Sequence, residues 1–199
     1  KLQKHVDYME QHPSVVITYH DAKPVDAENT IGKDTLLPSS RKRDFTSEEL
    51  QRGVWILPVT MCYRREVVQE ILLNMRSKVF NEDVFIISLA GQFGSGAYLG
   101  TIAPSAYRQT DAGIWSQQTA VHRSLMAAGS NAELMLYYKK KSNKELFLFF
   151  KQKLLTQLSN CITGDNLSQR DKCLFINILK RYWRYIGLRN LLYYIKGLK

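Results

Sequence analysis

The chain has 199 residues, of which 45% are hydrophobic, and a formal net charge of +10. This length and composition predict a globular protein with one domain and an appendage. The longest apolar runs, residues 84–89 and 146–150, are far shorter than the roughly 20 residues that span a bilayer, which excludes a transmembrane helix.

The charge is distributed unevenly along the chain. Residues 1–136 hold 14 Lys and Arg against 15 Asp and Glu, whereas residues 137–199 hold 14 against 3, a net charge of +11. Any anionic partner is therefore expected at the C-terminal segment. The three cysteines, Cys62, Cys161 and Cys173, show no CxxC spacing. They argue against a structural zinc site and favour a reducing, cytoplasmic location.

The N-terminal part predicts a helix, a strand and a long loop. Apolar residues recur at helical spacing from Leu2 to Met9, and this helix should stop before Pro13. The β-branched run at residues 15–19 predicts a buried strand. The polar segment 21–43 shows neither the helical nor the strand period, and we expect a surface loop there.

The middle of the chain predicts further alternation. Thr46 and Glu49 form a capping-box pattern that marks a helix start. A second helix is expected from about residue 65 to 76, with its apolar face formed by four residues: Val67, Val68, Ile71 and Leu72. Segments 97–102 and 105–108 predict strands. This alternation indicates an α/β sheet covered by helices rather than a helical bundle.

A third helix of this region is predicted to start at Asn81, as its N-cap, with Glu82 and Asp83 in its first turn. Beyond Ser116 helical periodicity dominates. Five helices are expected there, at residues 116–128, 131–141, 143–160, 168–186 and 189–197. The C-terminal region is therefore predicted to be all-helical, with a break at Gly187.

Two motifs carry the functional argument. The first is the carboxylate pair Glu82-Asp83, and the second, about 25 residues later, is the segment Tyr107-Arg108-Gln109-Thr110-Asp111-Ala112-Gly113-Ile114-Trp115-Ser116. A sugar hydroxyl is a poor nucleophile, and a nearby carboxylate that accepts its proton typically accelerates the reaction by about 10²- to 10⁴-fold. The competing interpretation is structural, because acidic residues in a first turn complement the helix dipole.

The sequence resembles the C-terminal half of a family 2 glycosyltransferase domain of GT-A fold. The resemblance starts at Lys1-Leu2-Gln3-Lys4 and runs through residues 15–21 and the turn Tyr63-Arg64-Arg65. It is strongest at Glu82-Asp83 and ends near Trp115-Ser116, so that it covers about 120 of the 199 residues.

The resemblance implies a partial GT-A type sheet covered by helices in residues 1–125, the acceptor-side half of the domain. The composition of the remaining residues predicts a basic, aromatic-rich helical tail in residues 126–199. It implies an inverting transferase that moves a sugar from a nucleotide-sugar donor to a hydroxyl of a saccharide or lipid-linked acceptor, as in cell-surface polysaccharide biosynthesis. Asp83 would then be the general base, and Glu82 would position Asp83 or an acceptor hydroxyl.

The resemblance also implies a substrate-binding set, which consists of Asp21, Tyr107, Arg108, Thr110, Asp111, Gly113, Trp115 and Ser116. Arg108 would offer N–H donors to a diphosphate, Gly113 a close approach of the loop, and Trp115 a pocket wall. Each has a structural alternative: a surface ion pair, a turn glycine or a core tryptophan. For Asp21 the alternative is a loop residue that caps a turn.

Family members bind a divalent cation and the nucleotide through an Asp-x-Asp motif, and this sequence contains none. Mg²⁺ or Mn²⁺ stabilises the negative charge of a diphosphate leaving group through hard oxygen ligands. We therefore expect no metal ligands in this chain, and we expect the cation and donor sites in an N-terminal half outside it. By itself the chain should be an inactive, acceptor-side part of the enzyme.

The basic tail leaves several interpretations open. Residues 137–199 combine Lys and Arg with many aromatic residues, a composition that suits a peripheral position on an anionic inner membrane face. The alternatives are a helical subdomain with inward-facing aromatics and an oligomerisation module. A non-catalytic module that binds nucleic acid is less favoured, since no recognition signature accompanies the charge.

Overall fold

The computed structural model describes residues 1–32, 34–74, 82–110, 113, 117–163 and 167–197. The chain divides into two compact units. The first comprises Lys1–Met75 and Ile86–Gln117, and the second comprises Arg76–Phe85 and Gln118–Lys199.

The first unit is built from short strands and helices. Its helices are α1 (Leu2–Gln11), α2 (Ser47–Gln51), α3 (Arg65–Asn74) and the greater part of α4 (Glu82–Ala90), whose first four residues group with the second unit. Its strands are β1 (Val15–Tyr19), β2 (Ala22–Val25), β3 (Cys62–Tyr63), β4 (Ser95–Tyr98) and β5 (Ser105–Arg108). Short 3-10 helices lie at Ser39–Arg41 and Pro58–Thr60.

The strands form two small sheets. One has the order β3-β1-β4, in which β1 runs parallel to β4 and antiparallel to β3, and the other is the parallel pair β2-β5. Tyr19 at the end of β1 is paired with Tyr98 at the end of β4, and Ala22 at the start of β2 is paired with Ser105 at the start of β5. The consecutive strands β1 and β2 therefore pair with β4 and β5, which are also consecutive in the chain. The predicted α/β class is confirmed at the level of a mixed α/β chain with small sheets.

Strand β2 was not expected within segment 21–43, and the prediction of a continuous loop is wrong there. Pro24 argues against a strand by local propensity, since it has no N–H to donate. Pairing with β5 outweighs that preference, because the Val25 carbonyl accepts from the Gln109 amide at 2.9 Å and the Asp21 carbonyl from Ser105 at 2.9 Å. These partners are more than 80 residues away in sequence.

Several local predictions are confirmed. Helix α1 ends at Gln11, before Pro13, and the capping box of α2 is complete, with the Glu49 amide donating to Thr46 Oγ1 at 3.2 Å. The reciprocal bond from the Thr46 amide to Glu49 Oε2 measures 2.9 Å. Both features depend on hydrogen bonds between residues three or four positions apart, and such local features can be predicted from the sequence.

The apolar face predicted for α3 is only partly correct. Val67 and Ile71 are buried, whereas Leu72 is 63% exposed and Val68 is half-buried. Helix α4 is described from Glu82 onward, and the predicted N-cap Asn81 lies outside the described residues. The core of the first unit is centred on β1, in which all five residues are buried.

Two glycines permit close packing at the end of α4. A Cβ on Gly91 would lie 2.6 Å from the backbone nitrogen of Gln51, and one on Gly94 would lie 2.1 Å from the Ser14 carbonyl oxygen. Ser88 Oγ also donates to the Gln51 carbonyl. The C-terminal turn of α4 is therefore held against α2, and the chain then enters β4.

The second unit is helical over its described residues, and its long helices are α5 (Ala120–Lys140), α6 (Lys144–Thr163), α7 (Gln169–Ile186) and α8 (Leu188–Gly197). The helices predicted at 116–128 and 131–141 are one helix, α5. Residues 128–135 are all buried, so packing outweighs the low helix propensity of Gly129. The break at Gly187 is confirmed, and this residue has a positive φ of 85°.

Polar side chains are also buried in this unit. The Tyr182 hydroxyl donates to Glu133 Oε1 at 2.6 Å, and Arg181 forms an ion pair with the same carboxylate. His122 Nδ1 lies 2.8 Å from Asp171 Oδ1. None of the described helices is both long and apolar enough to cross a membrane.

Candidate active-site residues

The predicted catalytic pair stands in the first turn of α4. Glu82 is exposed and Asp83 is half-buried. The rest of the helix is apolar except for Ser88, and Phe85, Ile87 and Leu89 are at most 2% exposed. Within the described ranges, the Asp83 carboxylate has no hydrogen-bond or ion-pair partner. Helix α4 thus presents in its first turn a carboxylate that no other described residue occupies.

Asp21 follows β1 and is 3% exposed. Its Oδ1 accepts hydrogen bonds from the amides of Ala22 at 2.8 Å and Leu37 at 3.1 Å, and its Oδ2 lies 2.6 Å from Lys42 Nζ. Burial raises the pKa of this carboxyl, but these hydrogen bonds outweigh the effect and the pKa is lowered overall. Asp21 therefore ties the segment around residues 35–42 to the end of β1, and its predicted acceptor contact stays a prediction.

Replacement of Asp21 by Ala is expected to destabilise the first unit by about 1–3 kcal/mol, because the buried amides of Ala22 and Leu37 lose their acceptor. Hydrogen exchange of residues 35–42 should rise together with a lower unfolding midpoint. Asp26→Ala is the matched control, since Asp26 Oδ1 accepts one amide bond, from Thr30, in an exposed turn. Equal effects of the two substitutions would contradict the role of Asp21 as the buried acceptor that holds residues 35–42.

A buried histidine pair lies beside Asp21. His5 Nδ1 is 2.7 Å from Thr18 Oγ1, and His20 Nε2 is 2.8 Å from Ser105 Oγ. The two imidazole rings are 5.2 Å apart, and Lys1 also contacts Ser105. The sequence did not predict these partners, because His20 and Ser105 are 85 residues apart.

The pKa of His20 is lowered to about 4, first by burial and then by the positive charges of Lys1 and His5, whereas Asp21 and the Thr60 backbone act in the opposite direction. Its ordinary pKa is 6.5. Between these values the unfolded chain binds the proton more readily than the folded chain. The contribution of neutral His20 to the free energy of unfolding is therefore fully present above about pH 6.5. It is lost as the pH falls towards 4, which lowers the free energy of unfolding by up to about 3 kcal/mol.

Urea unfolding at a series of pH values tests this expectation. His20→Gln should flatten the dependence between pH 6.5 and 4, whereas His12→Gln, at an exposed position, should leave it unchanged. An unaltered pH profile in a folded His20→Gln variant would show that other groups cause the acid sensitivity.

The second predicted motif begins in β5. Tyr107 is half-buried and Arg108 is exposed at the carboxyl end of the strand. The guanidinium donates to the Asp26 carbonyl at 2.7 Å and also to Asn29 Oδ1, and thereby closes the turn after β2. Arg108 thus has an internal positioning role, and its predicted diphosphate contact stays a prediction.

The residues after β5 are described only in part. Thr110 is half-buried, and its carbonyl accepts a 3.0 Å hydrogen bond from the Gly113 amide. The predicted site residues Asp111, Trp115 and Ser116 lie outside the described residues.

The structure separates two members of the predicted binding set. Asp21 precedes β2, and Arg108 ends β5, its parallel partner. They therefore lie at opposite ends of this strand pair, about 13 Å apart along the strand direction. By the division into units, Asp21 and Arg108 belong to the first, and Glu82 and Asp83 to the second.

Arg64, in the turn Tyr63-Arg64-Arg65, is a positioning residue whose contacts the sequence did not predict. Its Nε donates to the Val15 carbonyl at 2.7 Å, and its Nη2 donates to the carbonyls of Met9 and His12. It therefore fixes the end of α1 to the start of β1. Periodicity carries no signal for such a contact, because the acceptors are backbone atoms about 50 residues away.

The described part of the chain contains no group of three or more His, Cys, Asp or Glu side chains placed to hold a metal ion. A cavity of about 200 Å³ in the second unit is lined by Ala120, Val121, Ser124, Asn160 and Cys161. Burial raises the pKa of the Cys161 thiol. This thiol is therefore protonated at neutral pH and is a poor nucleophile.

Comparisons with models of protein families, with curated proteins and with solved structures gave no match to this chain. A functional conclusion therefore rests on the residues and contacts described above.

Proposed function

We propose that this chain is the acceptor-side part of an inverting glycosyltransferase of GT-A type. The enzyme would transfer a sugar from a nucleotide-sugar donor to a hydroxyl of a saccharide or lipid-linked acceptor. The observation that carries the proposal is Asp83, a half-buried carboxylate without a partner among the described residues. It lies directly after Glu82 in the first turn of α4, a helix whose later turns are mostly apolar and buried.

The chemistry assigned to Asp83 is general-base catalysis. As the acceptor oxygen forms its bond to the anomeric carbon, the bond from that carbon to the donor diphosphate breaks and the diphosphate keeps the electron pair. The hydroxyl proton passes to an Asp83 carboxylate oxygen. Attack from the face opposite the leaving group inverts the configuration of the anomeric carbon. A carboxylate held by a rigid helix favours this step because its position is set before the substrate binds.

The strand arrangement supports an α/β enzyme. Helix α4 leads into β4, which runs parallel to β1, and β5 continues beside β2. In open α/β sheets, ligands bind at the carboxyl ends of parallel strands. Arg108 and Thr110 lie at the carboxyl end of β5, so the proposal places substrate contacts there.

Arg108 suits a diphosphate contact even though it is already positioned by the turn at residues 26–29. A guanidinium has five N–H donors, and two bonds, to Asp26 and Asn29, fix its orientation. Donors that remain would bind phosphate oxygens with little further loss of side-chain entropy. The exposed position of Arg108 is compatible with this role.

The proposal includes a divalent cation, Mg²⁺ or Mn²⁺, in the complete enzyme. The residues described here do not fit such a site, since no cluster of metal-ligating side chains occurs among them and the sequence has no Asp-x-Asp. No catalytic step of this chain is therefore derived through the metal.

The test is a transfer assay on the product of the complete reading frame. Nucleoside-diphosphate sugars are supplied with oligosaccharide and lipid-linked acceptors and with Mg²⁺ or Mn²⁺, and NMR identifies the new linkage. We expect a product of inverted anomeric configuration, and no turnover by residues 1–199 alone. Failure of transfer across the panel, or retained configuration, would refute the proposal.

A further inference from the structure

Helix α8 has an unusually apolar exposed side. Its inner side is anchored by Tyr194, which is 2% exposed, donates to the Leu155 carbonyl at 2.9 Å and packs against Phe175 with ring centroids 5.9 Å apart. On its outer side, Leu188 is 72%, Leu192 is 52% and Ile195 is 46% exposed. Three large aliphatic side chains of one short helix are therefore in contact with solvent.

The three residues form one stripe, because spacings of four and seven residues bring side chains to the same side of a helix. Arg189 and Lys196 lie about a quarter turn further round and are also exposed. The exposed surface of α8 therefore has an apolar stripe along one side and cations along the other.

The end of α7 has the same character. Trp183 is 52% exposed, and the Arg184 guanidinium lies 5.3 Å from the centre of its ring. Tyr193 of α8 is 51% exposed. We call Trp183, Arg184, Leu188, Arg189, Leu192, Tyr193, Ile195 and Lys196 the α7–α8 face.

We propose that the α7–α8 face docks on an anionic lipid surface. An amphipathic helix lies in the membrane interface when apolar and aromatic side chains enter the acyl boundary and Lys and Arg meet anionic headgroups. The face has both components, and the segment 137–199 around it carries a net charge of +11, which complements an anionic bilayer.

Two other occupants fit the face less well. A second copy of the chain, docked through the same face, would bring Arg189 and Lys196 near their own counterparts and would add like-charge repulsion. A nucleic acid would satisfy the cations but would leave the aliphatic stripe exposed, because single strands bind through aromatic stacking and phosphate contacts. This inference goes beyond the proposed function and does not depend on it.

Cosedimentation of the full chain with vesicles tests the proposal. Phosphatidylcholine vesicles with about 30% phosphatidylserine should bind the chain, pure phosphatidylcholine vesicles should bind it much more weakly, and about 0.5 M salt should reduce binding to the anionic vesicles. The double variant Leu188→Ser/Leu192→Ser should bind anionic vesicles at least about tenfold more weakly. Arg189→Gln/Lys196→Gln should bind about tenfold more weakly and with a smaller salt dependence.

Leu148→Ser is the matched control, because Leu148 on α6 is 49% exposed and lies outside the face. It should bind like the parent chain. The substituted positions are exposed, so circular dichroism should show parental helicity for all variants. Equal binding of the Leu188→Ser/Leu192→Ser variant and the parent would overturn the proposal. The proposal would also be overturned if the parent chain did not bind vesicles but formed dimers or bound single-stranded DNA, and if these variants abolished that association.

Discussion

Asp83→Asn is expected to abolish sugar transfer by the complete enzyme, with a loss of kcat of about 10²- to 10⁴-fold. Asparagine has nearly the same shape as aspartate but cannot take up the acceptor proton. Phe85, Ile87 and Leu89 of the same helix are buried, so the position of residue 83 should be retained. Donor affinity should change little, because the proposed base contacts the acceptor hydroxyl.

The measurements are steady-state kinetics and donor titration on the same preparations. Glu82→Gln is the matched control, since Glu82 is exposed and precedes Asp83 in the same first turn. A smaller loss is expected for it. If Asp83 only complements the helix dipole, both substitutions would lower stability by at most about 1 kcal/mol and leave kcat near its parental value. That result would remove Asp83 as the base.

The second large effect concerns the buried carboxylate of Glu133. Its side chain is 2% exposed and pairs with Arg181, while the Tyr182 hydroxyl donates to Oε1 at 2.6 Å. Arg181→Met removes the cation and leaves a buried negative charge uncompensated. We expect a loss of about 3–5 kcal/mol in the free energy of unfolding of the second unit.

Urea unfolding and hydrogen exchange of α5 and α7 would measure this loss. Arg184→Met is the control on the same helix, because Arg184 is exposed and should cost less than about 1 kcal/mol. Adding Glu133→Gln to Arg181→Met should restore part of the stability, since the buried charge is then absent. No recovery in the double variant would show that Arg181 acts through packing instead.

Features that depend on residues close in sequence were predicted correctly, whereas features that depend on distant residues were not. The end of α1, the capping box of α2 and the break at Gly187 depend on bonds or dihedral angles within a few residues, and all three were predicted. Strand β2 was missed, because β5 supplies its hydrogen bonds from the other end of the first unit's sequence.

For the candidate site, sequence placed Glu82 and Asp83 in a first turn, where the structure has them. It did not predict that Asp21 binds Lys42 or that Arg108 binds Asn29. Neither pair shares an element or a periodic pattern, and the second is 79 residues apart. The side-chain surroundings of these residues therefore came only from the fold.

The α/β character, the order of most helices and the concentration of positive charge after residue 136 can all be read from the sequence, because composition and short-range periodicity encode them. Which carboxylates have internal partners depends on the folded chain. Asp21 and Glu133 are buried and each forms an ion pair with a basic side chain. Asp83, in the first turn of α4, has no hydrogen-bond or ion-pair partner among the described residues. The physical reason is that the free energy of a polar side chain depends on neighbours that chain folding brings from distant positions.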